Sequence, residues 1–116
     1  MTKNEVLAAL SALTTEQHMQ WMIDLGMQLT ITARAGYPFE ESPGKITHLV
    51  GFNEIQHQVY GRIRHLRRGD SWTLESFVDG MLQRAIHYKI EGDFGWALKT
   101  SLRQFQATYL DDQSTE

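Results

Sequence analysis

The 116 residues and 13.4 kDa of the chain leave room for one domain, spanning 1–116, and a chain of that size buries roughly two-thirds of its unfolded surface without disulfides or metal. Cysteine is absent, which excludes a disulfide framework, a thiol nucleophile, thiolate zinc sites and cysteine-held iron–sulfur clusters. The formal charge of −3 argues against general polyanion binding, and no apolar run approaches the roughly 18 residues of a membrane span.

Helix punctuation dominates the chain, with no repeat, low-complexity tract or composition shift. Thr2 with Glu5 fits a capping box that starts a short helix, Lys3 to about Ala12, with Val6, Leu7 and Leu10 on one side. Thr14 with Gln17 opens a second helix to about Ala35, where Gly36 supplies a cap and Pro38 blocks continuation. This helix has one polar line, Glu16, Gln20, Asp24 and Gln28, on an otherwise apolar surface, so burial from more than one direction is expected. Leu29–Ala33 has strand-like composition but lies inside the helical pattern and is read as helix. The third helix is predicted from about Gly44 to Arg68, stopping at Gly69. Asp70, Ser71 and Thr73 are candidate caps for a fourth, Leu74 to Glu91, with Leu74, Phe77, Val78, Met81, Leu82 and Ala85 in one stripe. Gly92 is expected to end it. Asp93 would cap a fifth, Phe94 to about Leu110, with Leu98, Leu102, Phe105 and Tyr109 on its apolar side. No alternating strand pair with a hairpin turn appears. The fold class is therefore all-α: an antiparallel bundle of four main helices plus a short N-terminal helix, elongated because the third helix alone is about 36 Å long.

The third helix presents two faces. Phe52, Ile55, Val59, Ile63 and Leu66 form its core stripe, headed by His48. Opposite lie Ile46, Val50, Asn53, His57, Gly61 and Arg64, with Tyr60 at the edge. Gly61 in mid-helix costs close to 1 kcal/mol relative to alanine and usually permits close backbone approach; Gly51 invites the same reading. Three explanations compete for the second face: contact with a neighbour inside the chain, a two-fold homodimer interface, or a ligand pocket along Asn53, His57, Tyr60 and Arg64.

Glu54 and His57 stand three apart and could point a carboxylate and an imidazole at one divalent metal ion. The unit occurs once, and the acids of the other helices lie on polar lines, so a solvated or interface pair is the simpler reading. His18 and His48 read as hydrogen-bonded core histidines, and His87 with Glu91 as an exposed i, i+4 pair. Arg62, Arg64, Arg67 and Arg68, with His65 among them, could grip an anion or an acidic protein partner; alternatively they complement the helix macrodipole. Nucleic acid fits poorly, because Asp70 and Glu75 follow closely and no helix-turn-helix signature adjoins the run. Phosphate-loop, nucleophile-elbow and H-E-x-x-H templates fail by inspection, and Gly92-Asp-Phe-Gly95 matches a kinase metal motif only in its letters. The expectation is a cytoplasmic, non-enzymatic interaction or regulatory protein with no cofactor, acting through a helix face as a homodimer. The alternative is a metal- or small-ligand-binding bundle using Glu54 and His57.

Overall fold

Amphipathic stripes and their caps generate five α-helices, seen in a computed structural model that describes residues 2–36, 44–68 and 73–110. They are α1 (Lys3–Ser11), α2 (Thr15–Gly36), α3 (Lys45–Arg68), α4 (Leu74–His87) and α5 (Glu91–Phe105), the last followed by a π-helical turn, Gln106–Leu110. No strand occurs among the described residues, and the principal extents of 49 × 33 × 23 Å match an elongated antiparallel bundle. No helix of the described residues is long and apolar enough to cross a membrane.

The N-terminal caps form as the side-chain chemistry dictates. The Thr2 hydroxyl accepts from the Glu5 N–H while the Glu5 carboxylate accepts from the Thr2 N–H. Thr14 and Gln17 make the same exchange before α2, and the Thr73 hydroxyl accepts from the Ser76 N–H before α4. Each such cap satisfies orphan N–H groups and contributes about 1 kcal/mol. Pro38, Gly69, Asp70 and Ser71 lie outside the described residues.

α2 packs against α3 on one flank and α5 on the other; α4 covers the far flank of α3, and α1 lies on α4. The core gathers Trp21, Met22 and Leu25 of α2, Phe52 and Ile55 of α3, Phe77 and Met81 of α4, and Phe94 and Phe105 of α5. Trp21 could not be buried this deeply without a partner for its indole N–H, which donates to the Ser101 hydroxyl at 3.2 Å; that hydroxyl donates to the Leu98 carbonyl. Lys3 bridges from α1 to Glu75 and Asp79 on α4, both at 2.9 Å, and hydrogen bonding to Asp79 and then Glu75 raises its pKa. Leu82, a member of the stripe expected on α4, is only partly buried at the margin of the core.

The junction of α4 and α5 differs from the pattern expected from Gly92 and Asp93. α4 stops at His87, Lys89 takes a left-handed φ of 57°, and α5 begins at Glu91. The early turn folds Tyr88 and Ile90 back onto α3, and Ile90 becomes buried. That burial offsets the unfavourable backbone at Lys89, and Asp93 falls in the first turn of α5, where its charge complements the helix terminus. His87 and Glu91 consequently do not share one helix; the His87 ring instead meets Tyr88 edge-on at 4.7 Å.

Candidate functional site

The outer face of α3 stays in solvent. Ile46 is 78 % exposed, and Val50, Asn53, His57 and Arg64 are exposed along the same line, so no neighbour among the described residues covers the ridge. Its margins are occupied. The Tyr60 ring leans on α2 with its edge 3.4 Å from where a Cβ on Gly26 would sit, so Tyr60 packs on that flank. Gly61 is partly buried. Gln56 fastens the same seam by donating to the Gly26 carbonyl at 3.2 Å and to the Thr30 hydroxyl.

On the opposite margin, α3 and α4 diverge around an open cleft of about 430 Å³ lined by Val50, Asn53, Glu54, His57, Gln58 and Arg84. Helical spacing explains the α3 contribution, because residues three and four apart stack on one face. From α4, Arg84 crosses to this face over Gly80. A Cβ on Gly80 would lie 2.9 Å from the tip of Gln58 and 3.5 Å from Arg84 Nη1, so the glycine makes room for both side chains. Arg84 Nη1 donates to the Gly80 carbonyl at 3.0 Å. With its carbonyl oxygen turned toward α4, Gln58 accepts from Arg84 Nη2 at 2.9 Å and Nη1 at 3.1 Å. The pull of the Glu54 carboxylate on the Tyr88 hydroxyl proton raises the Tyr88 pKa, with desolvation adding to the effect. Of the proposed metal pair, Glu54 and His57 do line one cleft, but among the described residues no three His, Asp or Glu side chains form a ligand group. Arg84 and Tyr88 were invisible to the spacing argument because they come from another element and a turn.

The arginine run divides. Arg64, Arg67 and Arg68 are exposed, whereas Arg62, grouped with them from the sequence as an anion-binding residue, is 8 % exposed and points into the bundle. Its Nε donates to His18 Nε2 at 3.4 Å, and its guanidinium lies 5.6 Å from the centre of the Phe77 ring. Position 62 follows Ile55 and Val59 on the buried side of α3, and the long stem supplies apolar surface there. Burial lowers the Arg62 pKa, and burial followed by the Arg62 charge lowers that of His18 to about 4. His18 therefore accepts this bond as a neutral imidazole. His48 is also buried, its ring tilted against Phe52 with centroids 4.8 Å apart and Nδ1 3.9 Å from an Asp93 carboxylate oxygen.

A second face has no counterpart in the sequence reading. α2 is buried on two flanks, as its apolar composition demands, yet Ile23, Met27 and Ile31 form a line outside both. Met27, Ile31 and Trp96 are 62, 59 and 61 % exposed, and Tyr109 adjoins them. Two shallow clefts of about 230 and 240 Å³ run along the seam of α2 with α5 and meet at Gln28 and Ile31, so these side chains form one continuous patch. The available signal was Trp96, which falls off the Leu98–Leu102–Phe105 stripe of its helix.

No family model matches the chain, and no curated protein or solved structure is similar to it.

Proposed function

We propose that the chain is a non-enzymatic interaction protein that self-associates as a two-fold homodimer, with the α2–α5 face as the principal contact. One observation carries this reading: Met27, Ile31 and Trp96 lie together in solvent beside Ile23 and Tyr109. Together these five side chains expose on the order of 500 Å², taking about 200 Å² for each when fully exposed, which falls in the range of patches that mark interaction sites. Two such faces would bury on the order of 1,000 Å² before any polar rim is added, the lower bound for a specific interface. The outer face of α3 offers less, since its apolar residues Ile46 and Val50 are followed by Asn53, His57 and Arg64.

The register of α2 supports a second copy as the occupant. An isologous contact requires that residue i meet j and j meet i. An antiparallel pairing of α2 about an axis level with residue 29 lays Met27 on Ile31 of the partner subunit. The same register sets Asp24 beside Arg34 of the partner subunit, because both pairs are centred on residue 29. Asp24, Met27, Ile31 and Arg34 share the outward arc of α2, so apolar and charged complementarity coincide in one register. Arg64, Arg67 and Arg68 are left free of this contact and form a cationic end suited to an acidic protein partner.

Sedimentation equilibrium tests the reading. Wild-type protein at tens of micromolar should have a dimer mass, Ile31→Glu should have a monomer mass, and Val50→Glu on α3 should remain dimeric. A monomeric wild type, or a dimer broken by Val50→Glu and not by Ile31→Glu, would overturn it.

A further inference from the structure

The cleft between α3 and α4 lies on a different side of α3 from the α2 seam and is left free by the proposed dimer. Its chemistry is bipolar. Glu54 on α3 offers a carboxylate and Arg84 on α4 a guanidinium, and both line the same open space of about 430 Å³. The two are not joined as an ion pair. Lys3, by contrast, is paired with Glu75 and Asp79 at 2.9 Å. The Arg84 guanidinium is instead held in place by neutral groups, the Gln58 amide and the Gly80 carbonyl, and the Glu54 carboxylate is exposed to the cleft. Such bracing fixes position without neutralising charge, which is how a recognition group is preorganised.

We propose that this cleft binds a small zwitterion carrying a carboxylate and an ammonium on a short apolar frame. The carboxylate would meet the Arg84 guanidinium, whose planar donor fork matches two carboxylate oxygens. The ammonium would meet Glu54, with the Asn53 carbonyl and His57 beside it on the same face of α3. Val50 provides the apolar wall for the frame. A simple anion is disfavoured by Glu54, and a simple cation by Arg84, because the like charge in the cleft opposes each. A metal ion is the weaker occupant, since Glu54 and His57 have no third acidic or imidazole ligand among the described residues.

The test uses L-leucine as probe, with N-acetyl-L-leucine, which lacks the ammonium, and L-leucinamide, which lacks the carboxylate. In a titration followed by amide proton–nitrogen spectra, L-leucine should give saturable shifts centred on residues 50–58 and 84. Both truncated probes should bind at least about tenfold more weakly, the loss expected when one charge-assisted hydrogen bond is removed. Glu54→Gln, which preserves shape at an exposed position, should weaken L-leucine by a similar factor and leave N-acetyl-L-leucine unchanged or tighter. Arg84→Met should abolish carboxylate binding; its circular dichroism spectrum checks that the helices persist, and Glu54→Gln keeps the test decisive should they not. Absence of a saturable response up to about 20 mM, the affinity range of a single weak contact, would overturn the proposal. So would N-acetyl-L-leucine binding as tightly as L-leucine, or shifts confined to residues outside the cleft.

Discussion

Gly51 is the place where one added methyl group should have the largest effect on the fold. A Cβ built there would stand 2.7 Å from Tyr88 Cβ, 2.9 Å from Tyr88 Cγ and 2.9 Å from Ile90 Cδ1. The Ile90 methyl can rotate away, but Tyr88 Cβ is attached to the backbone of the turn and moves only if the turn moves. Gly51→Ala must therefore push α3 and the 88–90 turn apart. Overpacking of this kind costs about 1–3 kcal/mol, against which alanine recovers close to 1 kcal/mol of helix propensity. The difference is about 0–2 kcal/mol, and because Tyr88 Cβ cannot rotate away we expect the upper half, about 1–2 kcal/mol, equivalent to roughly 4–15 °C in Tm for a domain of this size. Gly95 is the internal control. Nothing lies within 4 Å of a Cβ there, so Gly95→Ala should stabilise α5 by about 0.5–1 kcal/mol through propensity alone. Urea unfolding followed by circular dichroism, with wild type and both variants at one protein concentration, reads the two shifts. A Gly51→Ala protein as stable as wild type, or a Gly95→Ala protein less stable, would refute the account of how the turn seats on α3.

The buried His18 predicts a defined pH dependence. Its folded pKa of about 4 lies below the ordinary 6.5, so between those values the unfolded chain binds the extra proton. Stability from this residue is fully present above about pH 6.5 and is lost as pH falls toward 4, by at most about 3 kcal/mol. His18→Gln, which retains an acceptor for Arg62, should flatten the unfolding curve over that window; an unchanged slope would assign the effect elsewhere. Within the arginine run, Arg67→Glu should change stability by less than about 0.5 kcal/mol, as exposed substitutions do, and lower any affinity for an acidic partner in a salt-dependent way. Arg62→Glu should instead destabilise by several kcal/mol, because it buries a carboxylate against Phe77. Equal unfolding midpoints for the two variants would mean that Arg62 is not packed inside.

The helices were legible because caps and periodicity are local. Thr2, Thr14 and Thr73 each announce a helix start within four residues, and the exchange of hydrogen bonds with Glu5 and Gln17 follows from that spacing alone. The α4–α5 junction was not legible, since Gly92 is the residue that favours a helix stop, while the actual stop depends on Tyr88 and Ile90 finding the bare backbone of Gly51 across the bundle. Arg62 shows the same limit: spacing placed it in a basic run, and only the location of His18 and Phe77 turned it inward. For the sites, the α3 contribution of Val50, Asn53, Glu54 and His57 could be read from helical phase. Arg84 could not, because it reaches the cleft through the packing of α4 over Gly80, and neither could Tyr88, which comes to Glu54 through the turn. The α2–α5 patch was hidden for a different reason. Apolar composition alone does not distinguish a flank covered by a neighbouring helix, such as that of Leu25 and Leu29, from one left open, such as that of Met27 and Ile31.

Self-association through α2 in the register centred on residue 29 is tested most directly by a charge exchange measured by sedimentation equilibrium. Asp24→Arg places two arginines opposite each other in that register, and Arg34→Asp places two aspartates together, so either variant alone should weaken the dimer. The double variant Asp24→Arg/Arg34→Asp restores opposite charges across the axis and should recover dimer mass at the wild-type concentration. Recovery in the double variant, with both single variants shifted toward monomer, is the result predicted here; additive weakening in the double variant, or single variants that dimerise as the wild type does, would contradict it.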